Sequence, residues 1–409
     1  MISAHDIWGS KESFSPMYKI LYYLASKGYE IDFISIEKKK IFDESSKMYG
    51  EPIEYIHKNV SITRVRVGHP IILNILNRLP IANRLSKKIR MEYIFPRKVY
   101  KLLRVDVNKY DLIYGYEIHA VQVAKKLSIE AHKPLVTRFQ GTFLLNWYSN
   151  SKRWYFKKKY KLHINALSTP ANLIVMTNDG TQGNKALELL NNTENLEFLR
   201  NGIDFEKKTQ SSKGELRKKL NLPLDKVITI SVSRLAKWKK LERIIYAYQE
   251  LIKNNKECVH IFIGEGEERK SLEKECKTRG LSKNMFFIGQ VDHEKVSEYL
   301  SAADIFISLF DSTNIGNPLQ EAIKMELPIV TYDVGDTKEL IIDGYNGTLL
   351  KSVEPVTVAN AIERMVTDNN YRENIINGVK RTSEFLWTWD ERLSYEEEKI
   401  RNLIEADNN

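Results

Sequence analysis

The chain has 409 residues, of which 42% are hydrophobic and 28% are charged, so it can form a sizeable core, and its length predicts two or three domains. It contains no run of eighteen apolar residues and no basic segment followed by an apolar one at its N-terminus, so we expect neither a membrane-spanning helix nor a secretory signal. The net charge of +10 lies in the first half: residues 1–204 contain 32 Lys and Arg against 19 Asp and Glu, whereas the other residues contain 31 against 34.

Short β-branched or aromatic segments alternate with amphipathic segments of helical period along the whole chain. In chain order, the predicted strands are a short first strand within residues 1–5, then 31–36, 60–67, 111–116, 135–139, 172–177, 227–232, 259–264, 285–289, 304–308 and 329–332. The predicted helices include 13–27, 239–253, 267–278 and 356–367. This alternation is typical of parallel sheets that carry helices on both faces.

These strands are too many for one ordinary sheet, so we predict two sheets in two domains. The polar segment Phe205–Lys213, rich in Ser and Lys, separates the two runs of strands. We therefore predict an N-terminal domain over residues 1–204, a C-terminal domain over 205–385 and a final segment over 386–409. The two cysteines, Cys258 and Cys276, are not spaced as a metal or redox motif and fit a reducing cytoplasm.

Two segments concentrate the positive charge of the N-terminal half. Residues 71–104 contain nine bases and one acid, and residues 152–161 contain six bases, four aromatic residues and no acid. Bases interleaved with aromatic and aliphatic residues fit an anionic membrane surface. A solvated face without a partner explains the same pattern equally well. We do not expect nucleic acid as the partner, because the aromatic residues do not form an RNA-binding signature.

The segment Ser233–Glu242 follows a clean predicted strand and leads into a helix. Arg234 and Lys239 therefore lie at the carboxyl end of a strand, where open α/β sheets bind ligands. Free N–H groups at a helix N-terminus favour anions in the same place. We predict that these two cations bind a diphosphate, while Lys237 and Lys240 belong to a solvated face.

Two further segments converge on that crevice. Gly264 and Gly266 end another predicted strand, although a Gly-x-Gly pattern also suits any tight turn. The segment Asp311–Ile323 follows the strand 304–308, and Pro318 suits the first position of a helix. The loop 314–317 would then present N–H groups to an anion or a sugar, and Glu321, in the first turn, can accept hydrogen bonds from a ribose diol. A first-turn glutamate that complements the helix dipole is the alternative.

Six segments in this order resemble the C-terminal domain of the GT-B family of retaining glycosyltransferases, family 4 or "glycosyl transferases group 1". The matching segments are residues 233–239, 262–268, 286–291, 299–308, 317–323 and 327–347. Residues 200–204 and the helix from Trp389 also resemble the family, so the likeness is strong in the second half and thin in the first. It implies an α/β fold of two Rossmann-like, doubly wound parallel-sheet domains that face each other across a cleft. It also implies that residues 386–409 form a helix crossing back to the N-terminal domain.

The resemblance implies roles for individual residues. Arg234 and Lys239 would bind the donor diphosphate and stabilise the leaving nucleotide, and Glu321 would bind the ribose. The other donor-binding positions would be Gly9, Gln140, Gly264, Gly266, Val291, Thr313, Asn314, Ile315, Gly316 and Asn317. Among these, Val291 would meet the base through its backbone, and 315–317 would offer amides to the transferred sugar.

Three departures from the family pattern bear on the chemistry. Thr313 stands where many members have a glutamate, so this position supplies no charge. Gln140 stands where many members have a histidine, and an amide cannot act as a general base. Lys240 replaces the glycine that usually follows Lys239. These changes bear on the identity of the donor more than on the class of reaction.

We therefore predict a retaining hexosyltransferase that uses a nucleotide-sugar donor and a glycan or polyprenyl-linked acceptor in surface polysaccharide or glycoconjugate synthesis. Front-face attack needs no protein nucleophile, and we expect no metal and no cofactor. We expect a cytoplasmic protein that can also bind peripherally to the inner face of the membrane. The alternatives are a sugar-nucleotide epimerase or hydrolase of the same fold, and a non-catalytic nucleotide-binding partner subunit.

Overall fold

The computed structural model describes residues 1–4, 15–36, 53–67, 88–149, 152–204, 211–253 and 258–408. Three sequence predictions fall outside these ranges: the donor-binding residue Gly9, residues 71–87 of the first basic segment, and residues 205–210 of the linker. The described chain divides into two compact units. The first comprises residues 1–178, 182–200 and 390–409, and the second comprises residues 179–181 and 201–389.

The first unit contains one sheet of seven parallel strands, ordered β3-β2-β1-β4-β5-β6-β7. Its strands are β1 (Ile2–Ser3), β2 (Ile31–Ile36), β3 (Val60–Val65), β4 (Ile113–Tyr116), β5 (Leu135–Phe139), β6 (Leu173–Thr177) and β7 (Leu196–Leu199). Its helices are α1 (Pro16–Ser26), α2 (Phe95–Leu103), α3 (Ile118–Ala131), α4 (Leu144–Ser149), α5 (Arg153–Lys159), α6 (Lys161–Leu167) and α7 (Gly183–Leu189). The start of α1 follows from its sequence, since the Ser15 hydroxyl accepts a hydrogen bond from the Tyr18 N–H at 3.3 Å and Pro16 occupies the first turn.

The second unit contains a sheet of six parallel strands, ordered β10-β9-β8-β11-β12-β13. Its strands are β8 (Val227–Val232), β9 (Cys258–Ile263), β10 (Met285–Gly289), β11 (Ile305–Ser308), β12 (Ile329–Tyr332) and β13 (Thr348–Leu350). Its helices are α8 (Lys213–Lys219), α9 (Glu242–Lys253), α10 (Arg269–Thr278), α11 (His293–Ala302), α12 (Asn317–Lys324), α13 (Pro355–Thr367) and α14 (Asn369–Glu384). The last helix, α15 (Trp389–Asn408), supplies the C-terminal part of the first unit.

Both sheets are doubly wound, because the strand order reverses once within each of them. The reversal falls between β1 and β4 in the first sheet and between β8 and β11 in the second. One continuous apolar cluster fills the second unit and includes Ile230, Ile261 and Ile307 at the centre of its sheet. The predicted class of two parallel α/β sheets is therefore confirmed. Among the described helices, none has the length and apolar composition needed to cross a membrane.

Candidate functional site

The strand order of the second sheet defines a crevice at its carboxyl edge. Chain connections leave β8 and β11 in opposite directions along the sheet, and ligands of open α/β sheets bind where such neighbours diverge. The segment 233–239 leaves the end of β8, and the segment 309–317 leaves the end of β11. The topology thus brings together two of the segments that sequence analysis selected.

Arg234 occupies the first loop of this crevice and is half exposed. Its Nη2 lies 3.1 Å from Oε2 of Glu267, whose side chain is also half exposed. An exposed ion pair of this kind contributes about 1 kcal/mol at most. A diphosphate can therefore replace Glu267 as the partner of this guanidinium at little cost.

Lys239 ends a 3-10 turn formed by Lys237–Lys239. Its ammonium lies 3.9 Å from the ring centre of Trp238 and 3.8 Å from that of Phe310, which belongs to the loop after β11. Within the described part of the chain, no carboxylate forms an ion pair with Lys239. Burial in this aromatic slot lowers the pKa of Lys239 to about 8. Lys239 is thus a cation whose described partners are aromatic and not anionic, a condition that favours capture of an anionic ligand.

Gly264 and Gly266 allow the loop after β9 to lie against the loop after β8. A Cβ at Gly264, where φ is +128°, would come 2.0 Å from the Ser233 carbonyl oxygen, and one at Gly266 would come 2.3 Å from that of Leu235. Backbone hydrogen bonds join the same loops, from Leu235 N–H to the Glu265 carbonyl and from Glu268 N–H to the Leu235 carbonyl, both at 2.9 Å. The two glycines thus have a structural role: they let the two loops pack closely and so help to position the loop that carries Arg234.

The loop after β11 is held by its own side chains. Asn314 is buried, and it accepts a hydrogen bond from Phe310 N–H at 3.0 Å and donates one to the Tyr332 carbonyl at 3.0 Å. The Thr313 hydroxyl donates to the Asp179 carbonyl at 2.6 Å and accepts from Ile315 N–H at 3.1 Å. Both side chains therefore shape the loop, and neither needs a ligand to satisfy its hydrogen bonds.

Three backbone amides in this loop are expected to meet the transferred sugar. The N–H of Ile315 already donates to Thr313, and that of Gly316 donates to the Asn314 carbonyl at 2.9 Å. The N–H of Asn317, at the start of α12, has no acceptor among the described residues. Asn317 is therefore the amide of the three that is best placed to receive an anion or a sugar hydroxyl.

Glu321 lies in the second turn of α12, which corrects the expectation of a first-turn residue. The helix begins at Asn317 with Gly316 as its N-cap, and its first turn contains no acidic residue. Glu321 therefore does not serve as a first-turn complement to the helix dipole. Its carboxylate Oε1 lies 3.1 Å from Nε2 of His293, the first residue of α11. Val291 precedes this histidine by two residues in the loop after β10 and is partly buried.

Sequence analysis missed four residues of these contacts: Trp238, Phe310, His293 and, in the first unit, Glu117. Trp238 could have been found from its position beside Lys239, and His293 from its position two residues after Val291. Glu117, at the end of β4, has φ 67° and ψ 164°, a backbone region that residues other than glycine seldom occupy. Its Oε1 accepts a hydrogen bond from Gln140 N–H at 2.7 Å.

Gln140 lies in the first unit, directly after β5. Its Oε1 accepts a hydrogen bond from the Thr177 hydroxyl at 3.3 Å, and its buried Nε2 lies near the Tyr116 hydroxyl. The side chain of Gln140 thus packs among polar groups of the first unit, and its backbone is held by Glu117. In the residues described here, no group of three or more His, Cys, Asp or Glu side chains is arranged to hold a metal ion.

One segment of the second unit matches a known protein family. Residues 212–382 match the family model "Glycosyl transferases group 1". An uncharacterized glycosyltransferase of Methanocaldococcus jannaschii is 33% identical over 210 residues, which cover 50% of this chain and 52% of that relative. The putative teichuronic acid biosynthesis glycosyltransferase TuaC of Bacillus subtilis is 27% identical over 173 residues, 42% of this chain and 41% of TuaC. The chain thus matches about half the length, or less, of these two relatives.

A solved structure extends the likeness to the whole fold. HepE of Anabaena, in complex with UDP and glucose, superposes with a TM-score of 0.68 at 17% sequence identity, and the match covers 96% of this chain and 98% of HepE. At this identity the likeness shows the fold, which agrees with the GT-B fold expected from the sequence.

Proposed function

We propose that this chain, in which residues 212–382 match the glycosyl transferases group 1 model, is a retaining glycosyltransferase that uses a nucleotide-sugar donor. The observation that carries the proposal is the position of Arg234 and Lys239 at the carboxyl edge of the second sheet, where β8 and β11 diverge. Lys239 has no carboxylate partner in the described residues, and Arg234 has only an exposed one. The structure of HepE, a complex with UDP and glucose, is in keeping with this chemistry.

The two cations would act on the donor diphosphate. At an effective dielectric of about 20, each charge near a phosphate contributes roughly a few kcal/mol before desolvation. That attraction grows as the bond between the anomeric carbon and the phosphate oxygen breaks and negative charge collects on the leaving group. Arg234 and Lys239 would therefore stabilise the transition state more than the bound donor, which is the condition for catalysis.

Front-face attack would complete the transfer without a protein nucleophile. The acceptor hydroxyl forms the new bond to the anomeric carbon on the face that the phosphate leaves, and its proton passes to the departing phosphate oxygen. The configuration of the sugar is thereby retained. Gln140 cannot accept this proton, and Thr313 already donates to Asp179, so neither side chain is needed as a base. We expect turnover to persist when divalent metal ions are chelated.

We propose a hexose donor and a glycan or polyprenyl-linked acceptor in surface polysaccharide synthesis at the cytoplasmic face of the membrane. The relative TuaC, named for teichuronic acid biosynthesis, supports an acceptor of this kind. Helix α5 also supports it: Trp154 is 69% exposed, Tyr155 is 45% exposed, and the next exposed side chains are Lys157–Lys159. Aromatic and lysine side chains together favour an anionic lipid surface.

The test combines a binding screen with a transfer assay. The melting temperature is measured with UDP-, GDP- and ADP-sugars, because a ligand of the folded state raises it. The best donor is then incubated with polyprenyl diphosphate sugars, and the product and its anomeric configuration are determined by mass spectrometry and NMR. Arg234→Ala and Lys239→Ala should each lose most of the transfer rate, whereas the exposed neighbour Lys237→Ala should keep it.

Other outcomes of the same assay count against the proposal. Turnover of the donor without any acceptor would indicate an epimerase or hydrolase. Tight donor binding without turnover on any acceptor would indicate a non-catalytic partner subunit. If the protein binds an anionic membrane surface, it should sediment with anionic but not with neutral vesicles, and Trp154→Ala should reduce this sedimentation. Equal sedimentation with both kinds of vesicle would contradict membrane binding of this kind.

A further inference from the structure

A hydrogen-bonded pair lies beside the crevice, and only its carboxylate has a predicted role. His293 begins α11, and its Nε2 lies 3.1 Å from Oε1 of Glu321 on α12. The Glu321 side chain is 9% exposed, and the imidazole is 36% exposed. Among the described residues, His293 is the partner of this carboxylate. With its proton on Nε2, the imidazole donates to Oε1 and restricts the rotation of the carboxylate.

The second carboxylate oxygen is the one left for a ligand. Oε2 accepts no hydrogen bond from a described residue, and a nearly buried carboxylate with one open oxygen favours an added donor. Each oxygen of an ionised carboxylate has two acceptor sites, so Oε2 can accept hydrogen bonds from one or both hydroxyls of a vicinal diol. The bond to His293 therefore holds Glu321 with one oxygen occupied and the other available to a ribose.

His293 also joins two segments that the proposed donor would contact separately. It follows Val291, in the loop expected to meet the base, by two residues. It also contacts α12, the helix that carries Glu321, the carboxylate expected to bind the ribose. We propose that His293 is a positioning residue that fixes the Glu321 carboxylate for the ribose and thereby sets the preference for ribonucleotide over deoxyribonucleotide donors. This inference rests on the proposed function.

The test measures the ratio of two affinities by calorimetry. The probes are the nucleoside diphosphate that gives the largest thermal shift among UDP, GDP and ADP, and its 2′-deoxy counterpart. The wild type should bind the ribonucleotide about tenfold more tightly. His293→Leu should weaken the ribonucleotide about five- to tenfold and change the deoxynucleotide less than twofold, so that the ratio approaches one. His293→Gln, which keeps an N–H donor, should restore part of the preference.

The controls separate failure of this inference from failure of the proposed function. Glu294→Gln, on the exposed side of the same helical turn, should leave both affinities unchanged. Glu321→Gln should reduce the ratio as His293→Leu does. If Glu321→Gln reduces the ratio but His293→Leu weakens both nucleotides equally, or neither of them, the role of His293 is overturned. If no diphosphate binds the wild type, the proposed function itself fails.

Discussion

Replacement of Glu396 by glutamine should destabilise the first unit. Among the described residues, Glu396 is the only acid of a buried charge cluster in that unit. Glu396, on α15, is 3% exposed and accepts hydrogen bonds from Arg138 of β5, from Arg392 at 2.8 Å and from the Tyr114 hydroxyl at 2.9 Å. Both arginines are fully buried. Glu396→Gln keeps the shape of the side chain but leaves two guanidinium charges without a counter-charge.

The magnitude follows from the burial of these partners. Loss of one partner from a buried ion pair costs about 3–5 kcal/mol, because the remaining charge stays desolvated. We therefore expect the free energy of unfolding of this unit to fall by about 4 kcal/mol. For a unit of this size, 1 kcal/mol corresponds to about 2–4 °C, so the melting temperature should fall by about 8–16 °C. The double variant Arg138→Met/Glu396→Gln should lose less than the sum of the two single losses, because the residues share one network.

The assay is urea and thermal unfolding followed by circular dichroism, with Glu398→Gln as the matched control. Glu398 lies two residues further along α15 and is exposed, so its loss should change stability by less than about 0.5 kcal/mol. Burial alone would raise the pKa of Glu396, but Arg138, Arg392 and the hydrogen bonds outweigh it and hold this pKa below its ordinary value. The charged carboxylate is therefore the stabilising form. The advantage of the wild type should be complete at neutral pH and disappear as the pH falls below the ordinary glutamate range. Equal stability of Glu396→Gln and Glu398→Gln at neutral pH would refute this reasoning.

Three further predictions concern the second unit. Since the pKa of Lys239 is lowered to about 8, affinity for a nucleoside diphosphate should be full below about pH 7 and fall above pH 8, and Lys239→Arg should flatten that fall in a calorimetric pH series. Gly264→Ala should lose several kcal/mol of stability in urea, since its Cβ would meet a backbone oxygen at 2.0 Å, whereas Gly214→Ala in open space should not. Lys240→Gly should be neutral or stabilising by up to about 1 kcal/mol, because Lys240 has a left-handed φ of 51°, whereas Lys237→Gly should destabilise. A larger loss of stability in Gly214→Ala than in Gly264→Ala, or in Lys240→Gly than in Lys237→Gly, would contradict these backbone arguments.

Much of the fold could be predicted from local patterns. The strands β8 to β12 begin and end within one residue of their predicted bounds, because each is an apolar segment closed by a polar turn. The strands β7 and β13 were missed. Both lie at a sheet edge, and β7 is only partly buried along its length, so its sequence lacks the apolar run of a central strand.

The contacts within the candidate site could be predicted less well, because the strand order creates them. Phe310 meets Lys239 since β11 lies next to β8, although the two residues are 71 positions apart. The pair of His293 and Glu321 depends in the same way on how two helices pack. The left-handed backbone of Lys240 explains in physical terms why a glycine is common at this position in the family that the chain resembles.

The central claim is that a nucleoside diphosphate binds at the carboxyl edge of the second sheet through Arg234 and Lys239. Calorimetric titration of the wild type and of Lys239→Ala with UDP, GDP and ADP tests it most directly. One diphosphate should bind the wild type with one-to-one stoichiometry, and Lys239→Ala should bind it at least tenfold more weakly, a loss of about 1.4 kcal/mol or more. Equal affinity of a correctly folded Lys239→Ala would contradict the claim.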